Sequence, residues 1–301
     1  MIPSIDLEAL SAQDKTALDA MAEAATGIGF ATVHNTALEA AEVRAVIETY
    51  REFFRLPERD KAGIDMARTG ANRGWGASGS EQVDPDANPD YKQFFDSGVT
   101  LPETDPRREM PVYAPNIWPA EPVAFAKTIS GYYTQACGVA MEVLRGLAQA
   151  ISAPRDAFDA AFDPPMALLR GNYYPARPDW AGAKDFGIAT HTDYGCLTLL
   201  ATDGSPGLEV RKRGGGWIPV AAAPGTFVIN FGEMMEFWTE GRVRATPHRV
   251  VGGTNERISV PLFFNPSHDT NVAPPGAQGV IRAGDHLARR FKETYLHLKK
   301  S

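Results

Sequence analysis

Cysteine is nearly absent: Cys137 and Cys196 are the only two. They fall in an apparent helix and an apparent strand, so two buried thiols are expected rather than a disulfide, a CxxC redox pair or a metal pair. Long apolar runs are missing as well. No stretch approaches the roughly 20 residues that a membrane helix needs. The opening residues, Met1-Ile2-Pro3-Ser4-Ile5-Asp6, carry no basic region followed by an apolar run, so no secretory signal is expected and the cytoplasm is the default compartment. Excess positive charge is also lacking. A formal net charge of -7 argues against nucleic acid as a partner, because phosphate backbones are met by basic surfaces. With neither repeats nor low-complexity tracts, the chain reads as a globular protein, expected to act as a monomer on a small molecule away from membranes.

What is present is enough for a sizeable core: 301 residues, 44% of them hydrophobic, suit one large domain or two modest ones. A helix is expected from about Ser11 to Ala25, then a short strand at Gly29–Val33. Leu38, Val43, Val46, Ile47, Tyr50, Phe53 and Phe54 recur at helical spacing and end at Leu56-Pro57. From Thr69 to Pro119 the chain is rich in Gly, Pro, Asp and Asn, and reads as mostly loop carrying Trp75, Tyr91, Phe94 and Phe95. A long helix starting near Pro122 shows Phe125, Ile129, Tyr132, Ala136, Val143, Leu147 and Ile151 on one side. Past Pro164 the texture turns to short β-rich runs at Leu168–Tyr174, Cys196–Ala201, Gly216–Val220, Thr226–Phe231, Arg249–Val251 and Ile258–Phe264, a spacing that suits a sandwich or barrel. An amphipathic helix over about Ala283–Leu298 is expected to close the chain against the sheet.

The segment richest in chemistry is Thr190-His191-Thr192-Asp193-Tyr194, with His248 far downstream in Pro247-His248-Arg249-Val250. Alternate side chains of a strand share a face, so His191 and Asp193 would point together, and His248 could arrive from another strand to complete a set of metal ligands. Two imidazoles and a carboxylate on one side of a metal leave open positions opposite, the arrangement of non-haem Fe(II) oxygenases. Zinc hydrolases also use two His and a carboxylate but usually keep one open place for water. Arg257 and Ser259 alternate onto one face of a β-run, where a guanidinium and a hydroxyl suit a carboxylate of a short dianion. A structural salt bridge would explain the same arginine.

These residues together resemble the isopenicillin N synthase-like branch of the 2-oxoglutarate- and Fe(II)-dependent dioxygenases, over nearly the whole chain. The resemblance implies an α+β fold with a double-stranded β-helix (jelly-roll, cupin-like) core flanked by helices and preceded by a mainly helical region. It divides the chain into residues 1–118, an N-terminal region with the long aromatic loop, and residues 119–301, the jelly-roll core with its preceding and C-terminal helices. It assigns iron to His191, Asp193 and His248, and 2-oxoglutarate to Arg257 and Ser259. Asn172-Tyr173-Tyr174-Pro175 resembles the family's Asn-Tyr-Tyr-Pro strand, which adds Asn172 and Tyr174 as co-substrate contacts. Gly29 to Asn35 and Phe53 to Pro57 resemble structural hallmarks, with Thr36 a departure where many relatives carry glycine.

The implied reaction couples oxidative decarboxylation of 2-oxoglutarate by O₂, giving succinate and CO₂, with hydroxylation, desaturation or cyclisation of a small molecule. Candidate substrate contacts are Arg73, Trp75, Tyr91, Phe94, Phe95, Phe237, Trp238 and Phe264. Three alternatives stay open: a 2-oxoglutarate-independent iron oxidase of the isopenicillin N synthase type, a zinc hydrolase, and a metal-free jelly-roll binding protein.

Overall fold

The computed structural model describes residues 2–70 and 72–298. In chain order its strands are β1 (Ser4–Asp6), β2 (Phe30–His34), β3 (Gly74–Gly76), β4 (Gln93–Gly98), β5 (Leu168–Tyr174), β6 (Ile188–His191), β7 (Leu197–Thr202), β8 (Leu208–Arg211), β9 (Trp217–Val220), β10 (Phe227–Phe231), β11 (His248–Val250) and β12 (Arg257–Phe264). The helices are α1 (Leu7–Ser11), α2 (Lys15–Thr26), α3 (Ala40–Arg55), α4 (Glu58–Lys61), α5 (Met66–Thr69), α6 (Phe125–Ala150), α7 (Glu233–Trp238) and α8 (Ala283–Thr294).

Period-two alternation organises the molecule, because successive side chains of a strand leave on opposite faces. Ile258, Val260, Leu262 and Phe264 of β12 join Leu197 and Leu199 of β7 and Ile229 of β10 in one core with α2, α3 and α6. Their neighbours Leu200 and Val228 turn the other way and meet Leu208, Val210, Val220 and Val250 in a second core. That second core lies between an eight-stranded sheet, ordered β1-β2-β10-β7-β12-β5-β4-β3, and a four-stranded sheet, ordered β6-β11-β8-β9. The two facing sheets form the jelly-roll that the sequence led one to expect, and the helices cover its outer face. Among the described residues no helix is long and apolar enough to cross a membrane.

Several elements differ from expectation, each for a local reason. The first long helix begins at Lys15, because Gln13 takes a left-handed backbone (φ 62) and the Asp14 carboxylate caps the N–H groups of Thr16 and Ala17. The stretch from Thr69 to Pro119 contains β3 and β4, and β4 pairs along its whole length with β5, setting Asp96 opposite Arg170 and Phe94 opposite Asn172. All but one of its residues are buried, so no polar-apolar alternation marks it. β6 and β8, four residues each, also carry too short a pattern to stand out. The last helix stops at Thr294, and Tyr295 instead bridges to Glu81.

The aromatic cluster beneath the large sheet should carry much of the stability. Phe125 of α6 lies 4.9 Å from Phe95, 5.0 Å from Phe53 and 5.5 Å from Tyr50, ring centre to ring centre. Phe125→Ala should cost about 3–5 kcal/mol, read as a lowered urea midpoint at unchanged slope.

Candidate active site

β6 and β11 pair antiparallel with His191 directly opposite His248, which sets the two imidazole centres 4.4 Å apart. Each ring turns Nδ1 to a carbonyl two residues earlier, His191 to Ala189 O at 2.8 Å and His248 to Thr246 O at 3.1 Å. Carbonyls only accept, so both Nδ1 atoms carry the proton and both Nε2 lone pairs point inward. Asp193 Oδ1 lies 3.7 Å from His191 Nε2 and 3.6 Å from His248 Nε2. Its other oxygen, Oδ2, accepts hydrogen bonds from Thr198 Oγ1 at 2.5 Å and Asn230 Nδ2 at 2.6 Å. The three candidate ligand atoms thus all lie within 4.8 Å of one another.

Charge follows from that packing. Burial, and then the facing imidazole of His248, pushes His191 down to about 4, so it stays neutral and keeps its lone pair near neutral pH. Burial alone would raise Asp193, but the two imidazoles and the donors on Oδ2 outweigh it and hold the carboxyl below its ordinary value. Two imidazole nitrogens and one carboxylate oxygen form a donor set that fits a divalent iron with vacant positions.

Asp193 does not share a strand with His191. β6 ends at His191, and the aspartate reaches the centre from a turn fixed by the Glu233 N–H, which donates to Asp193 O at 2.8 Å. Gly232 permits this approach, since a side chain there would collide with the carbonyls of Asp193 and Gly195. The same turn is gripped by one face of α8. His286 Nε2 donates to Tyr194 O at 3.0 Å, Tyr194 Oη bonds Thr294 Oγ1 at 2.5 Å, and Arg290 stacks on the Tyr194 ring at 4.3 Å. Glu233 joins them, accepting from Thr192 Oγ1 at 2.7 Å and pairing with Arg290 at 3.3 Å.

Beside the triad, β12 pairs with β5 so that Arg257 faces Tyr174 and Ser259 faces Asn172. The Arg257 guanidinium is buried and sits 5.1 Å over the Tyr174 ring. Its Nε and Nη1 have no partner, and neither does Asn172 Oδ1. A buried guanidinium with vacant donors asks for an anion, and a dicarboxylate supplies one.

The matches to known proteins agree with this geometry. Residues 2–121 match the family described as non-haem dioxygenase in morphine synthesis N-terminal, and residues 165–266 match the 2OG-Fe(II) oxygenase superfamily. Homoarginine-6-hydroxylase 2-ODD-233 of Oryza sativa subsp. japonica is 32% identical over 82% of this chain and 76% of its own length. The chain belongs to the 2OG-Fe(II) oxygenases. Oxoglutarate-dependent flavonoid 7-O-demethylase 1 of Ocimum basilicum is also 32% identical, over 91% of this chain and 71% of its own. A full-length protein of Neurospora crassa, solved in complex with alpha-KG (2-oxoglutarate), superposes with a TM-score of 0.85 at 28% identity, covering 97% of this chain and 96% of that one. As a 2-oxoglutarate- and Fe(II)-dependent oxygenase, the protein oxidises a small molecule while converting 2-oxoglutarate and O₂ to succinate and CO₂. The three alternatives left open by the sequence find no support in these matches.

The mouth of this oxygenase's jelly-roll holds a cavity of about 890 Å³, counting its opening to solvent, lined by His191, Asp193, Asn172 and Arg73 among others. Arg73 is the one proposed substrate residue on that wall. Trp75, Phe95 and Phe264 lie in the helix-side core, and Phe94 packs under Arg170 at 4.1 Å. Tyr91 meets Trp180, Phe237 meets His286 and Trp238 meets Phe158. The sequence reading missed Thr198, Asn230 and Glu233. A polar residue inside the apolar runs LTLLAT and FVINF was the available signal for the first two. It also missed a buried charge cluster, Glu81, Asp90, Lys92, Asp96 and Arg170, of which Glu81, Lys92 and Arg170 line the cavity.

Two outcomes follow. Asn230→Ala removes one of the two donors on Asp193 Oδ2 and should weaken Fe(II) retention about 10–100-fold, measured by competition with a metal chelator. Within the charge cluster, burial would raise Glu81, but Arg170 and Lys92 override it and hold the carboxyl at about 2. A depressed folded-state value stabilises the fold above the ordinary 4.5 and loses that stabilisation as pH falls toward 2. Glu81→Gln should therefore flatten the dependence of urea stability on pH across that window.

Proposed function

We propose that His191 Nε2, His248 Nε2 and Asp193 Oδ1 hold the Fe(II), that Arg257 and Ser259 take the distal carboxylate of 2-oxoglutarate, and that Asn172 and Tyr174, opposite them on β5, also contact the co-substrate. The observation that carries this reading is the buried Arg257, whose Nε and Nη1 have no partner, opposite Tyr174 and two residues from Ser259, which faces Asn172. On it, residues 119–301 provide the reacting core, and residues 1–118 complete its sheet through β1 to β4.

When bound, iron supplies the redox chemistry by which O₂ oxidises 2-oxoglutarate to succinate and CO₂ and one oxygen atom passes to the substrate. The chain's own task is positioning. Thr198 and Asn230 occupy one Asp193 oxygen, so that the other alone faces the metal position. Arg257 and Ser259 fix the direction of the co-substrate, and apolar residues such as Met166, Leu168 and Phe291 keep water from the reacting atoms. Hydroxylation is the default outcome; desaturation or ring closure requires only a differently placed substrate. The rice and basil relatives are named for a hydroxylation and a demethylation on different molecules, so substrate choice rests on the cavity wall and not on the triad.

Anaerobic mixing with Fe(II) and 2-oxoglutarate should give a weak visible charge-transfer band that Zn(II) cannot produce. His248→Ala should abolish the band. Arg257→Gln should leave Fe(II) binding intact and raise the KM for 2-oxoglutarate about 30-fold or more, as expected when one partner of a buried charged pair is removed. A full-strength band in His248→Ala, or an unchanged KM in Arg257→Gln, would refute these assignments.

A further inference from the structure

A guanidinium offers five N–H donors, and burying them is costly unless they meet acceptors. Two arginines stand on the wall of the substrate cavity, and they differ in how far that demand is met. Arg170 is complete. Its Nε and Nη2 donate to the two oxygens of Asp96 at 2.7 Å each, Nη1 donates to both oxygens of Glu81 at 2.8 and 3.0 Å, and Nη2 also reaches Tyr295 Oη at 2.6 Å. Lys92 is likewise committed, to Glu81 and to Asp90.

Arg73 is not. It is 1% exposed, and its hydrogen bonds go only to neutral carbonyls, Asn72 O at 2.6 Å and Val112 O at 2.7 Å. Its Nε has no partner. Among the described residues no carboxylate pairs with it: Asp96, the first charge to act on it, has both oxygens taken by Arg170 and Tyr295. The chain makes room for this unpaired cation, since a side chain at Gly98 would collide with the guanidinium. The surrounding wall is largely apolar, with Val112, Met166, Leu168, Leu287 and Phe291.

We propose that Arg73 docks the carboxylate of the substrate, and that the substrate is an otherwise apolar small carboxylic acid oxidised at the end remote from that group. A neutral carbonyl would occupy Nε but leave the buried charge uncompensated, whereas a carboxylate answers both. The remoteness follows from the sheet. Arg73 packs over Gly98, which pairs with Leu168, and Leu168 stands four residues along β5 from Asn172 at the co-substrate site. At roughly 3.4 Å per residue those levels are about 14 Å apart. The inference rests on the assignment of iron and 2-oxoglutarate made above.

The test uses the full chain with Fe(II) and 2-oxoglutarate. Its probes are ω-phenylalkanoates from 3-phenylpropanoate to 6-phenylhexanoate, their methyl esters and the matching ω-phenylalkylamines. Readouts are succinate released above the probe-free rate, the position of oxygen in the product by mass spectrometry, and the anaerobic shift of the visible band on adding probe. At least one acid should exceed its ester and amine about tenfold or more, with oxygen entering at the phenyl end. Arg73→Gln should lose that preference mainly through KM, and Arg73→Lys should keep part of it, while the KM for 2-oxoglutarate stays unchanged in both. Equal stimulation by ester or amine, no stimulation by any acid, or an acid preference that survives in Arg73→Gln overturns the proposal; the wild-type comparison needs no variant to fold. The band with Fe(II) and 2-oxoglutarate alone separates the two levels. Its presence without an acid preference sinks only the Arg73 assignment, and its absence sinks the reading of the site beneath it.

Discussion

The carboxylate of Asp193 is divided between two tasks, and the site depends on that division. One oxygen is held by Thr198 and Asn230 at 2.5 and 2.6 Å, so the other has no choice but to face His191 and His248. An unrestrained carboxylate could rotate and present both oxygens to a cation, closing a position that O₂ or the co-substrate needs. The strands supplying the restraint, β7 and β10, are neighbours in the large sheet, while the imidazoles come from β6 and β11 in the small one. The candidate metal position therefore lies where the two sheets face each other, and the hydrophobic core between them also sets the spacing of His191, Asp193 and His248.

The same logic explains which parts of the site could be read from the sequence. Arg257 and Ser259 alternate on β12, so spacing alone brought that pair to one face, whereas His191 and His248 stand on separate strands that only the pairing of β6 with β11 sets side by side. Asp193 was found for a reason that does not hold locally. It sits beyond the end of β6 and reaches the centre through a turn shaped by Gly232 and Glu233, contacts between segments far apart in the chain that no local period can encode. Phe94 and Phe95 were visible as aromatics but not as strand residues. Burial on both faces of β4 erases alternation, and the flanking Gly, Pro and Asp residues mimic loop. Most of the aromatic residues taken as cavity wall turned out to pack beneath it, because a large ring is worth more in a closed core than at a water-accessible mouth.

Buried charge separates structure from function more sharply than residue type does. Arg170, Lys92, Glu81, Asp90 and Asp96 satisfy one another and tie β4, β5 and the segment around Tyr295 together. Removing one partner would strand the others in a medium that solvates them poorly. Arg257 and Arg73 are equally secluded, yet their N–H groups are left over. A fold that spends stability to bury incomplete cations does so at points where a ligand completes them.

The C-terminal helix brings these features together. Leu287 and Phe291 of α8 line the cavity, and His286, Arg290 and Thr294 of the same helix grip the turn that carries Asp193. The gripping residues recur every four positions along one stripe, as a helix of 3.6 residues per turn requires, and the cavity residues Leu287 and Phe291 form the adjacent stripe. A molecule filling the cavity would therefore touch the element that fixes the aspartate. α8 is held to the rest of the fold partly through Tyr295, Glu81 and Arg170, so the charge cluster, the cavity wall and the Asp193 turn share one support. The wall that meets a substrate and the turn that carries Asp193 are thus built on one helix, so the packing of α8 constrains both at once.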